Sequence, residues 1–246
     1  MPTLSFHQLT KQYGSVSVLD GFTATALPGR VTAFLGVNGA GKTTSMRILL
    51  GLAEPTSGTA TIDGVRYVDL PHPTRVVGAV LDQGFQPNRT ARNHMRLTAM
   101  QAGVPASTAD GLLERFGLGP VAGRRVGGFS LGMRQRLALA SALVGNPSVL
   151  ILDEPLNGLD PDGILDMRRF LRSFADAGGT VFLSSHLLSE VAAVADDLVV
   201  IHRGTLATAG PFDEVVGDDS DLESVFHHLI HPADATDTTD SQEVWS

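Results

Sequence analysis

A glycine-rich segment that ends in lysine and threonine is the clearest chemical signal in the sequence. Residues 36–43 read Gly-Val-Asn-Gly-Ala-Gly-Lys-Thr, which is the spacing of a phosphate-binding loop. Its glycines allow backbone N–H groups to surround phosphate oxygens, and the positive end of a following helix points at the same anion. Lys42 is placed to reach the β- and γ-phosphates, and the Thr43 hydroxyl to bind Mg²⁺. The predicted phosphate-binding residues are Gly36, Asn38, Gly39, Ala40, Gly41, Lys42, Thr43 and Thr44.

Two adjacent carboxylates follow an apolar run in the second half of the chain. Residues 149–152 are Val-Leu-Ile-Leu, and Asp153 and Glu154 come directly after them. Such a run predicts a buried strand, and ligands of α/β sheets bind at the carboxyl ends of strands. On its own an acidic strand end is common. Beside a phosphate-binding loop it predicts triphosphate hydrolysis, with Asp153 in the Mg²⁺ shell and Glu154 as the general base that polarises water.

Short β-branched runs are the elements that must position these groups. They lie at residues 31–35, 149–152, 180–184 and 198–201 and are apolar on both alternations, which is typical of buried strands covered by helices on both faces. Helical patterns lie between them. The fold class is therefore predicted as α/β, a P-loop NTPase core with a mixed or parallel sheet flanked by helices.

The N-terminal region shows a different pattern. Residues 4–9, 58–62 and 65–67 are short β-prone segments separated by turn residues such as Asp63 and Gly64. They predict an antiparallel β edge on the core.

The middle of the chain is predicted to be an inserted helical subdomain, residues 87–145. Apolar residues are predicted to share one face of each of two helices: Met95, Leu97 and Met100 on the first, and Leu112, Leu113 and Phe116 on the second. The nucleotide-binding core would then comprise residues 1–86 and 146–231. Residues 232–246 contain four carboxylates and no Lys or Arg, a composition that predicts a disordered acidic tail.

Composition excludes several classes of function. The 246 residues include no cysteine, which excludes disulfides, thiolate metal sites and thiol catalysis. The formal net charge of −8 argues against a nucleic-acid partner, which generally requires a basic face. No apolar run approaches the roughly 18–20 residues that span a bilayer, so work at a membrane would require a second chain.

Residues 129–136, Phe-Ser-Leu-Gly-Met-Arg-Gln-Arg, resemble the signature segment of ATP-binding-cassette (ABC) proteins. The usual form of that segment is Leu-Ser-Gly-Gly-Gln, so Ser130 and Gly132 are retained and Leu131 replaces a glycine. The Ser-Leu-Gly-Met form resembles the branch of the family that exports drugs and antimicrobial peptides. Ser130 is also predicted to cap the helix that begins near Met133.

Three further segments resemble the family's motifs. Residues 157–161 are similar to its dimer-contacting loop, His186 to its switch histidine, and Tyr13 to the aromatic residue that stacks on adenine. The family's Mg²⁺-sensing glutamine has no clear counterpart, and both Asp82 and Gln83 are candidates for its place. By resemblance, Ser130 and Gly132 bind the γ-phosphate of ATP held by another cassette, and His186 is catalytic with Glu154 and Lys42.

The resemblance implies an ATP-hydrolysing motor subunit. Two cassettes, expected to be a homodimer, would close head-to-tail around two ATP·Mg²⁺ and drive a separate transmembrane permease from the cytoplasmic face of the membrane. The alternative is an ABC ATPase with a soluble task in assembly, repair or ribosome function, and a nucleotide-binding regulator without turnover is a third reading. Co-purification with a membrane protein would favour the first.

Overall fold

The computed structural model of the protein describes residues 1–81, 84–217 and 221–230. Within them the strands are β1 Leu4–Tyr13, β2 Val16–Ala26, β3 Val31–Leu35, β4 Ser57–Ile62, β5 Val77–Val80, β6 Val149–Asp153, β7 Thr180–Ser184, β8 Asp197–His202 and β9 Thr205–Pro211. The helices are α1 Lys42–Leu49, α2 Pro73–Val76, α3 Ala91–Gln101, α4 Ala106–Arg115, α5 Leu131–Ala142, α6 Pro161–Asp176, α7 Leu188–Ala192, α8 Phe212–Val216 and α9 Leu222–Ile230. None of these helices combines the length and the apolar character needed to cross a bilayer.

The larger sheet has the strand order β5-β6-β7-β3-β8-β9. Its first five strands are parallel, and β9 runs antiparallel to β8. The carboxyl ends of β3, β6 and β7 therefore meet at one edge, which brings together the segments that follow these strands. The predicted α/β class with a mixed sheet is confirmed.

The smaller sheet is antiparallel, as expected, but one of its strands was predicted wrongly. Its order is β2-β1-β4, so β2 supplies the third strand. Residues 65–67 form no strand, because Val65 makes one isolated bridge to Ile62 and the chain then enters a 3₁₀ turn at Tyr67–Asp69. Strand β2 was not predicted, because its first half is exposed and Gly21 interrupts the alternation of apolar and polar residues.

Four phenylalanines join the two sheets. Phe6 and Phe22 from the antiparallel sheet contact Phe34 and Phe182 from the larger one, with ring centroids 5.0–5.7 Å apart. All four rings are at most 2% exposed, so they form the centre of the core on this face. Burial of such large rings is worth about 2–3 kcal/mol each relative to exposure.

The opposite face of the larger sheet is covered by α6, α7, α8 and α9. Helix α6 buries Met167, Leu171 and Ala175 at intervals of four residues, and these side chains pack on alternate residues of β3 and β7 in a second core cluster. Both faces of β3 are therefore covered, which explains why its sequence is apolar throughout.

Helices α3, α4 and α5 surround a third apolar cluster, centred on Met95, Leu113 and Leu137. The buried face of α3 consists of Ala91, Met95 and Ala99, and Met100 is 69% exposed. The predicted α3 face was therefore wrong at Leu97 and Met100. The buried face follows a four-residue spacing through Ala91, Met95 and Ala99, which leaves Leu97 half-buried and turns Met100 outward. The limits 87–145 for a helical subdomain remain a prediction, and residues 232–246 lie outside the part of the chain that the structure describes.

Candidate nucleotide site

The phosphate-binding loop connects β3 to α1 at the edge where the strand ends meet. Gly41 has φ of 112°, a backbone angle that side chains rarely adopt, and a Cβ there would lie 2.6 Å from Leu19 Cδ2. A Cβ on Gly36 would lie 2.6 Å from the Ile201 carbonyl oxygen. Neighbouring strands β2 and β8 therefore require glycine at these two positions, and the resulting tight loop leaves Val37, Asn38 and Gly39 exposed.

Lys42 lies inside this loop, with only 7% of the residue exposed. Its Nζ donates to the Gly36 carbonyl oxygen at 2.5 Å and lies 3.4 Å from that of Val37. Burial lowers the pKa of Lys42 from its usual 10.5, while the nearby Glu154 and Asp153 carboxylates act to raise it. The ammonium group is thus a poorly hydrated positive charge at the base of an anion-binding loop, which suits it to a phosphate group.

Asp153 ends β6 directly beside the start of α1. The Thr43 hydroxyl donates to Asp153 Oδ2 at 2.6 Å, and the Ser184 hydroxyl donates to Asp153 Oδ1. Parallel pairing of β6 with β7 places Asp153 opposite Ser184. A hydroxyl and a carboxylate oxygen side by side are the hard oxygen donors that Mg²⁺ prefers, so these residues fit the predicted ion. Asp82 and Gln83, the alternative third ligands, lie outside the described residues.

Glu154 and His186 form a hydrogen-bonded pair across the ends of β6 and β7. His186 Nδ1 lies 2.8 Å from Glu154 Oε2, and the His186 backbone N–H donates to the same oxygen at 3.2 Å. Glu154 has φ of 51°, an unfavourable left-handed angle for a residue with a side chain. Its N–H is held by the Ser184 hydroxyl at 3.0 Å. Strained backbone of this kind is common at functional sites.

A cleft of about 440 Å³ opens between the phosphate loop and this pair. Its walls include Gly36, Asn38, Glu154 and His186. The arrangement places a carboxylate beside the loop that would hold phosphates, so Glu154 can accept a proton from a water molecule in the cleft.

The signature residues line a different cleft. Ser130, Leu131 and Gly132 border a space of about 900 Å³ between α4, α5 and α6, and they are absent from the walls of the cleft at the phosphate loop. The Ser130 hydroxyl accepts from the Met133 N–H at 3.2 Å, as predicted for a helix cap, although α5 begins at Leu131. Within one chain the structure does not bring Ser130 and Gly132 to Lys42.

Tyr13 lies at the end of β1 and is 53% exposed. The Lys11 Nζ stands 4.6 Å from the centre of its ring. An exposed aromatic face of this kind can stack on a base. Stacking of Tyr13 on adenine stays a prediction.

Three contributors to the site were not identified from the sequence. Ser184 supports both Asp153 and Glu154, the buried amide of Gln135 donates to the Pro155 carbonyl oxygen at 2.8 Å, and Phe226 from α9 lines the cleft at the phosphate loop. Ser184 could have been found from its position at the end of a predicted strand. Gln135 lies inside the signature segment, but its partner follows 20 residues later, and no local pattern indicates that contact.

Comparison with known proteins agrees with this geometry. The family model described as ABC transporter matches residues 19–157. The bacitracin transport ATP-binding protein BcrA of Bacillus licheniformis is 44% identical over 211 residues, which cover 84% of this chain and 69% of that protein. The lantibiotic transport ATP-binding protein SrtF of Streptococcus pyogenes is 38% identical over 230 residues, covering 92% and 97% respectively.

A solved structure of the ATP-binding subunit of an ABC transporter superposes with a TM-score of 0.84 at 27% identity, covering 92% of this chain and 98% of that one. The predicted family is thereby confirmed. The chain belongs to the ABC transporter family, as an ATP-binding subunit whose ATPase activity is coupled to transport.

Proposed function

We propose that this protein is the motor subunit of an exporter for antimicrobial peptides or related drugs. The similarity to proteins named for bacitracin transport and lantibiotic transport supports this substrate class. The partner would be a transmembrane permease, because the helices of the described residues cannot supply a membrane span. The protein would then work at the cytoplasmic face of the membrane.

We further propose that ATP is hydrolysed at a site shared by two copies of the cassette. The observation that carries this proposal is the separation of the signature cleft from the phosphate-loop cleft within one chain. Two copies in a head-to-tail arrangement with two-fold symmetry would each complete the other's site, and the same two surfaces would meet twice. Ser130 and Gly132 of one copy would then face the γ-phosphate held by the loop of the other.

We propose a role for each residue, and its position supports that role. Lys42 and the loop N–H groups bind the phosphates, and Tyr13 stacks on adenine. Thr43 and Asp153 would hold Mg²⁺, which would neutralise charge on the phosphate oxygens. Glu154 accepts the proton of the attacking water, and His186, fixed through its 2.8 Å contact with Glu154, stabilises charge at the γ-phosphate.

The decisive experiment compares the wild type with Glu154→Gln. The amide keeps the shape of the side chain but cannot act as a base, so we expect ATP turnover to fall by about 10²–10³-fold while ATP still binds. Light scattering should then detect a stable ATP-bound dimer of the variant. Near-normal turnover in Glu154→Gln would contradict the assignment of the base.

Dilution tests the shared site independently. For the wild type, turnover per chain should fall as the protein is diluted, because the complete site needs two copies. Turnover per chain that is independent of concentration, with monomers in light scattering, would contradict the shared site. Recovery of a multi-span membrane protein with the affinity-tagged chain would separate transport from a soluble task.

A further inference from the structure

The C-terminal helix α9 reaches the cleft at the phosphate loop. Phe226, in the middle of α9, is one of the walls of that cleft, together with Glu154, His186 and Leu188. The helix lies about 70 residues beyond the acidic pair, and no motif in the sequence connects it with ATP hydrolysis.

Helix α9 packs on the protein core along one side. Leu222 and Ile230 are buried, whereas Val225, Phe226 and Leu229 are partly buried and pack against the second core cluster. This spacing forms a single apolar stripe on the helix. Phe226 is a partly buried ring in this stripe, and unlike Val225 and Leu229 it lines the cleft.

The residues that follow His186 lie against the same cluster. Leu187 and Leu188 are partly buried and pack against the same cluster as the side chains of α9. Helix α9 also packs on α7, which begins at Leu188. His186 itself is 54% exposed at its side chain, so its own packing constrains it little. Its orientation depends on the Glu154 contact on one side and on the loop 185–188 on the other.

We propose that Phe226 is a positioning residue for ATP hydrolysis, which acts by holding the loop that carries His186 against Glu154. The proposal rests on the proposed roles of Glu154 and His186. An aromatic ring at this wall fixes Leu188 by packing and keeps the imidazole directed at the cleft. Loss of that wall leaves the phosphate loop, Lys42 and Asp153 in place, so ATP binding is retained while turnover falls.

The test compares Phe226→Ala with Leu229→Ala. Both changes remove a partly buried apolar side chain from α9, but only Phe226 lines the cleft. We expect Phe226→Ala to lower kcat by about tenfold, as small displacements of a catalytic group do, with KM for ATP within about twofold of the wild type. Leu229→Ala should leave kcat within about twofold at a similar loss of Tm.

Two further measurements separate positioning from general damage. Phe226→Leu keeps an apolar wall and should restore most of the turnover lost in Phe226→Ala. Amide hydrogen exchange of residues 185–188 in the full-length protein should increase in Phe226→Ala and stay close to wild type in Leu229→Ala. Equal loss of kcat in the two alanine variants, or no loss in Phe226→Ala, would overturn the proposal. Neither outcome bears on Glu154→Gln, whose failure would instead overturn the proposed base.

Discussion

Lys42 and Glu154 are both held in states that cost the folded protein free energy. Lys42 carries its charge where burial lowers its pKa, and Glu154 has a left-handed backbone angle. Neither state improves the packing of the core. Lys42 lies inside the phosphate loop and Glu154 lines the cleft beside it. Such costs are typical of sites selected for chemistry and not for stability.

Replacing Lys42 by methionine tests this trade-off. Desolvation by burial is the largest influence on the pKa of Lys42. Methionine removes this poorly hydrated charge and keeps a side chain of similar length. We expect the Tm of the nucleotide-free protein to rise by roughly 2–4 °C, while the stabilisation by added ATP is lost. Differential scanning calorimetry with and without ATP measures both effects. A fall in Tm of the nucleotide-free variant would show that the contact with the Gly36 carbonyl outweighs desolvation.

At the scale of elements, the caps of α3 and α5 offer a matched pair. Thr90 caps α3 by accepting from the Asn93 N–H, and Ser130 caps α5 by accepting from the Met133 N–H, both at 3.2 Å. Each hydroxyl satisfies one free donor at the start of its helix. Only α5 carries the signature residues, so a comparison of variants at the two caps separates an effect on helix stability from an effect on ATP turnover.

Removal of either hydroxyl should cost about 1 kcal/mol of folding free energy. Thr90→Ala and Ser130→Ala are therefore expected to lower stability alike in denaturant titrations. Only Ser130→Ala should also reduce ATP turnover, by about tenfold or more, because in the proposed shared site it removes a group that would face the γ-phosphate held by the second copy. A comparable loss of turnover in Thr90→Ala would indicate that capping alone explains the effect.

At the scale of the whole molecule, charge is divided unevenly along the chain. Residues 87–145 contain eight arginines, no lysine and two carboxylates, whereas the full chain has a net charge of −8. The arginines at positions 92, 96, 115, 124, 125 and 136 are exposed. In a head-to-tail pair this basic region of one copy would approach the acidic remainder of the other, which favours association at low ionic strength.

The division of charge predicts that association depends on salt. Raising NaCl from about 0.05 M to about 0.5 M should raise the protein concentration for half-maximal ATP turnover by about tenfold, because screening shortens the range of the attraction. The double variant Arg124→Ala, Arg125→Ala should lose part of this dependence. Arg75→Ala, an exposed arginine outside the region, serves as the control. If the protein concentration for half-maximal ATP turnover does not change with salt, electrostatic attraction between the two copies is excluded.

The spacing of residues within short segments was sufficient to predict the chemical groups of the site. The phosphate loop, Asp153, Glu154 and Ser130 each lie in a short segment whose neighbours define its geometry, and the parallel sheet followed from runs that are apolar on both faces. Such features are encoded within about ten residues of the chain. They could therefore be predicted together with the fold class and the family.

Contacts between distant segments were decided by the tertiary structure. Helix α3 turns Met100 outward because two alanines share its buried face with Met95, β2 becomes a strand through its pairing with β1, and Ser184 meets Asp153 because β6 and β7 are neighbours. Phe226 reaches the phosphate-loop cleft only because α9 packs on α7. The sequence by itself determined which groups could react. The order in which strands and helices pack determined which of these groups share a site. That order could not be predicted from local segments, because it depends on burial summed over the whole chain.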